Sequence, residues 1–238
     1  VGEGETNAFP LIWTQRQQPR RRGLDREQIT AAAIRVADEA GLDGLTMKAV
    51  AARLGPYSPM ALYRHVHSKE GLFDLMLDAA TAEIPLPGEP GDDWRRDLRT
   101  LALETRRMTS RHPWFAVLVH ARPPAGPHMM RRLEFMLTVL VRRGATVGDA
   151  MTYAVLIDRH VLGSALQESE EARLERRHGL DDDARLYAAI ATLRELAAAD
   201  GGLPHLTEWL THPAGPTPEE RFVIGLDFVL DGIAARLA

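Results

Sequence analysis

The chain has 238 residues, 45% hydrophobic and 26% charged, with no cysteine and a net charge of −4 at pH 7. This balance supports a buried core and excludes a disordered or collagenous chain, and the lack of cysteine excludes disulfides, thiolate nucleophiles and cysteine-rich zinc sites. No run approaches the ~18 apolar residues of a membrane span and no basic segment followed by an apolar core opens the chain, so a cytoplasmic protein without a membrane partner is expected.

Charge is only weakly segregated. The exception is Arg16, Arg20, Arg21 and Arg22, an acid-free cluster ahead of the first helix. Residues 1–23 read as a flexible basic arm, interrupted by the apolar island Phe9 to Trp13, which is expected to dock on its own domain. A helix from Asp25 to Ala40 follows from the capping-box spacing of Asp25 and Gln28 and the apolar stripe Ile29, Ala33, Val36, Ala37, Ala40, with Gly41 as its stop. Thr46 caps a second helix that buries Met47, Val50, Ala51 and Leu54 and ends at Gly55. Ser58 caps a third, with Pro59 at its first position and Leu62 and Val66 facing inward. Ser68 caps a fourth, carrying Leu72, Leu75, Met76 and Ala79 on its buried side and ending near Ile84.

Three prolines and two glycines in Pro85 to Gly91 break any helix, so 24–84 and 92–238 are expected to be separate domains joined by an 85–91 linker. Helical periods then run near 92–111, 114–121, 127–143, 147–177, 182–200, 203–211 and 217–237. Strand-like alternation is absent. The expected fold class is all-α: an N-terminal helix-turn-helix three-helix domain followed by a larger helical-bundle regulatory and dimerisation domain.

Two short helices joined by a tight turn and preceded by a longer one make a helix-turn-helix. A two-turn helix enters the major groove when its inner face is anchored and its outer face carries base-reading groups. The third helix meets this requirement, with Pro59, Met60, Tyr63, Arg64 and His67 opposite Leu62 and Val66. Thr46, Lys48, Ser58 and Lys69 stand at helix N-termini, where free N–H groups attract phosphate. Arg21 and Arg22, with their neighbours, form either a solvated linker or a DNA-tracking arm.

Three stretches carry a specific resemblance: Leu45 to Gly55 (LTMKAVAARLG), Ser58 to Val66 (SPMALYRHV) and Ser68 to Leu72 (SKEGL). Residues 24–84 resemble the DNA-binding domain of the TetR family of transcriptional regulators. The resemblance implies phosphate contacts at Thr46, Tyr63, His65 and Lys69, and base proximity at Ser58, Pro59, Met60, Ala61 and Arg64. The turn from Gly55 to Pro59 is one residue longer than the family pattern, which bears on readout by Pro59 and Met60. Residues 92–238 resemble the regulatory domain in length, helix count and a proline-interrupted start, without a specific motif. The family implies a homodimer built from 217–237 together with 182–200 or 147–177, with Phe222, Leu226, Val229, Leu230 and Ile233 as the buried stripe of that bundle.

In the C-terminal half, His112, Trp114, Phe135, Tyr153, Asp158 and His160 are candidate ligand-pocket residues, weighed against plain core packing. Asp158, Arg159 and His160 interrupt an apolar helix, where a buried charge needs a partner. No metal site or cofactor is expected: His65 and His67 point to different sides of a helix, and His112, His120 and His128 straddle prolines. No P-loop, nucleophile elbow or dinucleotide fingerprint is present, so no enzyme is expected. The expected function is a repressor released from a palindromic double-stranded operator by a small-molecule effector. The rivals are a constitutive, ligand-independent repressor and an enzyme using the C-terminal cavity.

Overall fold

The computed structural model describes residues 12–14, 23–120, 125–178, 183–212 and 215–237, apart from the side chains of 176 and 183–187. Among these, eleven α-helices and one 3-10 turn, Ile12–Thr14, occur without any strand. None of the described helices is long and apolar enough to cross a membrane.

The first four helices are set by their caps. In α1 (Arg26–Gly44), Asp25 accepts from the Gln28 backbone at 2.8 Å while Gln28 accepts from the Asp25 backbone at 3.1 Å. Gly41 breaks the helical path with φ 67°, so the regular helix ends at Ala40 and a turn follows. Thr46 caps α2 (Met47–Leu54) on Ala49 N at 3.1 Å, Ser58 caps α3 (Pro59–Val66) on Ala61 N at 3.3 Å, and Ser68 caps α4 (Lys69–Thr81) on Gly71 N at 2.9 Å. Each such cap satisfies an orphan N–H and is worth about 1 kcal/mol. Gly55, at φ 99°, makes the turn between α2 and α3, a conformation that side-chain-bearing residues resist.

Ile29, Val50, Leu62, Val66, Leu72 and Met76 are fully buried in one core beneath these helices. Ile12 joins them on the α4 side and is itself buried, which accounts for part of the apolar island; Phe9, Pro10 and Leu11 lie outside the described residues.

Seven further helices follow: α5 (Trp94–Arg111), α6 (Trp114–His120), α7 (Pro127–Arg142), α8 (Val147–His178), α9 (Asp183–Asp200), α10 (Pro204–Thr211) and α11 (Pro218–Leu237). The long α8 is the axis against which α5, α6, α7 and α11 pack, while α9 and α10 pack chiefly on each other.

One expectation is corrected here. Phe222, Leu226, Leu230 and Ile233 are buried inside the single chain, where α11 packs on α8, and Val229 is half-buried in the same core. They are therefore not the seam of a dimer. His160 stacks on Phe222 with centroids 4.9 Å apart, and its Nε2 donates to the Phe222 carbonyl at 2.8 Å. A side chain at Gly225 would overlap that imidazole, so glycine is what lets the two helices approach. The outward face of α11 instead presents Ile224 and Phe228, the latter 73% exposed.

Candidate nucleic-acid interface and interior cavity

Helix α3 is two-faced. Leu62 and Val66 are completely buried, whereas Ser58, Pro59, Met60, Tyr63 and Arg64 are exposed and Ala61 and His65 are half-buried. The clamp is more than apolar: Arg26 Nε donates to the His65 carbonyl at 2.8 Å, tying the α3 C-terminus to α1. His67 closes the helix in a left-handed conformation, φ 62°, with its N–H on the Tyr63 carbonyl at 2.8 Å. Because Ser58 caps the first turn, the longer turn from Gly55 leaves the start of α3 pinned.

Around α3, Thr46 and Lys48 are exposed at the start of α2, and Lys69 sits half-buried at the start of α4 with its ammonium 5.4 Å from the Phe73 ring centre. The starts of α2, α3 and α4 thus bring helix N-termini, two lysines and Arg64 to the elements that pack on this groove-sized helix or form it. Burial, reinforced by the charges of Arg64 and Arg26, pushes the His65 imidazole below its ordinary range. Both effects favour the neutral, hydrogen-bonding form of the ring over the charged one. Arg21 and Arg22 lie outside the described residues.

The six C-terminal candidates are not brought together. His112 and Trp114 are buried at the junction of the two halves: His112 Nδ1 and Trp114 Nε1 both donate to Asp38 Oδ1 of α1, at 2.8 and 2.7 Å. The other His112 nitrogen lies 3.2 Å from Glu83 Oε1. Burial pushes the Glu83 carboxyl up, but hydrogen bonds and charge from Arg111 and His112 outweigh it and hold the group below its ordinary range. His160 serves the α8–α11 contact, Tyr153 packs on the core, and Phe135 lines a groove beneath Pro85 to Pro90.

Only Asp158 lines the interior cavity, a space of about 250 Å³ between α4, α5, α6, α7 and α8. Its walls include Ile84, Phe115, Val119, Met129, Leu133 and Leu162, and Arg132 and Asp158 line it as a contacting pair. Arg132 Nη2 and Nη1 donate to the two Asp158 oxygens at 2.7 and 3.0 Å, and Nε and Nη2 reach Thr105 Oγ1 at 3.3 and 3.2 Å. Sequence reasoning named Asp158 but missed Arg132. The signal was weak, because α7 also carries Arg131, Glu134 and Arg142 and nothing local to Asp158 marks which cation it meets.

A second buried cation, Arg106 of α5, is held by Glu168 at 2.7 Å and Glu219 at 3.2 Å, and its guanidinium lies 4.4 Å from the Phe222 ring centre. It pins α5, α8 and α11 together, away from the cavity.

An anchored two-turn helix with a polar outer face, borne on a helical bundle with an apolar cavity, defines a helix-turn-helix transcription regulator. Comparison with known proteins agrees. Residues 29–76 match the model for bacterial regulatory proteins of the tetR family, and residues 86–237 match that for the tetracyclin repressor-like C-terminal domain. The chain is 34% identical over 242 residues to the HTH-type transcriptional repressor DrrR1 of Streptomyces coeruleorubidus, covering 100% of this chain and 88% of that one. It is 30% identical over 216 residues to the class A tetracycline repressor of Escherichia coli, covering 90% and 92%. Among solved structures, ActR of Streptomyces coelicolor in complex with actinorhodin aligns with a TM-score of 0.75 at 25% identity, over 90% of this chain and 97% of that one. The chain belongs to the TetR family and is a DNA-binding transcriptional regulator.

Proposed function

We propose that the protein is a cytoplasmic homodimeric repressor: two α3 helices, about one DNA turn (~34 Å) apart, read a palindromic operator, and a small molecule in the α4–α8 cavity releases it. The observation that carries this reading is the two-sided α3, buried completely at Leu62 and Val66 and open at Met60, Tyr63 and Arg64. Thr46, Lys48, Ser58, Tyr63, His65 and Lys69 take phosphates; Pro59, Met60, Ala61 and Arg64 lie against bases; Arg21 and Arg22 follow the backbone. Support for an effector comes from relatives: solved structures hold ActR with actinorhodin and a TetR protein of Acinetobacter baumannii with minocycline. Release requires the ligand to bind the DNA-incompetent state more tightly, ~1.4 kcal/mol for each tenfold loss of operator affinity.

Tyr63→Phe and Lys69→Ala are expected to weaken binding about tenfold on every duplex, with a shallower salt dependence for Lys69→Ala, whereas Arg64→Ala also relaxes sequence choice. Fluorescence-anisotropy titrations against operator and scrambled duplexes read this directly, and wild-type affinity in all three variants would falsify the contact assignment.

The dimer is expected to use the outward faces of α8 and α11, where Leu156, Ile224 and Phe228 are all more than a third exposed. Burying Phe228 in such a seam is worth ~2 kcal/mol, so Phe228→Glu should raise the dimer dissociation constant well over tenfold. Sedimentation velocity showing an unchanged dimer would move the interface elsewhere.

A further inference from the structure

The cavity holds one polar device, and its chemistry constrains what can bind. Among the described residues that line it only Arg132 and Asp158 are ionisable, and they cancel each other. Both are partly withdrawn from water, with side chains 12% and 27% exposed. Thr105 is committed too: its hydroxyl accepts from Arg132 and donates to the Leu101 carbonyl at 2.7 Å. Among the described residues, the partners of the guanidinium leave one Nη1 N–H over. The same Arg132 also lines the groove beneath Pro85 to Pro90, together with Thr81 and Ile84, so it stands at the boundary of the two spaces.

A ligand carboxylate entering this cavity has two options. It can take Arg132 from Asp158, which strands Asp158 as an uncompensated anion among apolar walls, or it can lie beside an intact pair with no countercharge of its own. Both are unfavourable. An uncharged ring compound meets neither penalty: its body contacts Phe115, Val119, Met129 and Leu133, and one carbonyl or ether oxygen accepts from the spare Nη1 N–H.

We propose that the Arg132–Asp158 pair makes this cavity selective for an uncharged, largely apolar ring compound bearing a single hydrogen-bond acceptor, and rejects carboxylates of matching size. This rests on the effector reading for its regulatory meaning, but not for its chemistry.

The test uses the full-length chain and two probes of the same ring size, 2-acetylnaphthalene and 2-naphthoate, titrated by calorimetry into wild type and Asp158→Asn. Wild type is expected to bind the ketone at least about tenfold more tightly than the carboxylate. Asp158→Asn, which leaves Arg132 uncompensated, is expected to invert that order. Thermal unfolding monitors the variant, and the paired change Arg132→Met with Asp158→Met, which removes both charges together, is expected to go on excluding naphthoate if Asp158→Asn does not fold. Equal or tighter naphthoate binding by wild type overturns the proposal, as does the absence of binding by both probes or naphthoate binding by the paired variant. Operator affinity measured alongside separates the two readings: selective ketone binding that leaves DNA affinity unchanged upholds the selectivity and overturns the effector role.

Discussion

Asp78→Ala is expected to lower unfolding free energy by about 3 kcal/mol and to disconnect the cavity from the DNA-binding helices. Asp78 belongs to α4, yet its carboxylate caps α7: one oxygen accepts from the backbone N–H of His128 and Met129 at 2.7 and 3.2 Å, and the other accepts from His128 Nδ1 at 2.8 Å. The residue is only 4% exposed. Removing it leaves orphan donors at the first turn of α7, where no side chain of its own sequence caps them, because the N-cap is Gly126. Since α7 carries Met129, Arg132 and Leu133 of the cavity wall, this junction ties that part of the wall to α4, and α4 packs directly on α3. Gly126→Ala should have a similar effect, because a methyl group there would collide with the Asp78 carboxylate. Urea unfolding gives the stability loss; an Asp78→Ala midpoint equal to wild type would show that the contact carries no net weight.

Gly71→Ala is expected to cost the N-terminal helices a comparable ~2–3 kcal/mol and with it most operator binding. Gly71 occupies the first turn of α4, and a Cβ there would run into the backbone carbonyl of Val66 at the end of α3, with Ile12 Cδ1 at 3.3 Å on the other side. A backbone oxygen cannot swing aside as a long side chain can. Either α4 must retreat from α3, opening the core around Val66 and Leu72, or α3 must shift on the DNA. Calorimetric unfolding combined with anisotropy separates these: a lower midpoint marks loss of packing, whereas unchanged stability with weakened binding marks a displaced recognition helix. A variant matching wild type on both counts would refute the close-approach argument.

Two other contacts join the halves at a different point. Asp38 receives His112 and Trp114, and Arg111 reaches Glu83 at 2.8 Å. These act beside the Asp78 junction, so α1 and α4 are each tied separately to the bundle. A shift of α7 relative to α6 would accordingly be felt as a tilt of α4 against α1, which in the proposed dimer is the kind of motion that alters the distance between the two recognition helices.

What the sequence by itself determined is local. Ser, Thr and Asp at helix starts, glycines at 41 and 55, and apolar positions three and four apart set where α1 to α4 begin and end and which face of α3 is clamped, because caps and amphipathic periods act within a few residues. The helices of the C-terminal half followed from the same signals. Tertiary structure alone decided the partners. His112 and Trp114 looked like pocket residues, yet both are used up by Asp38, more than seventy positions away; Phe222, Leu226 and Leu230 looked like a dimer seam, yet α8 covers them. Arg132 found Asp158 across two helices in the same way. Periodicity reports that a face is buried, whereas the identity of what buries it depends on how the helices cross, and that is a property of the whole packed chain.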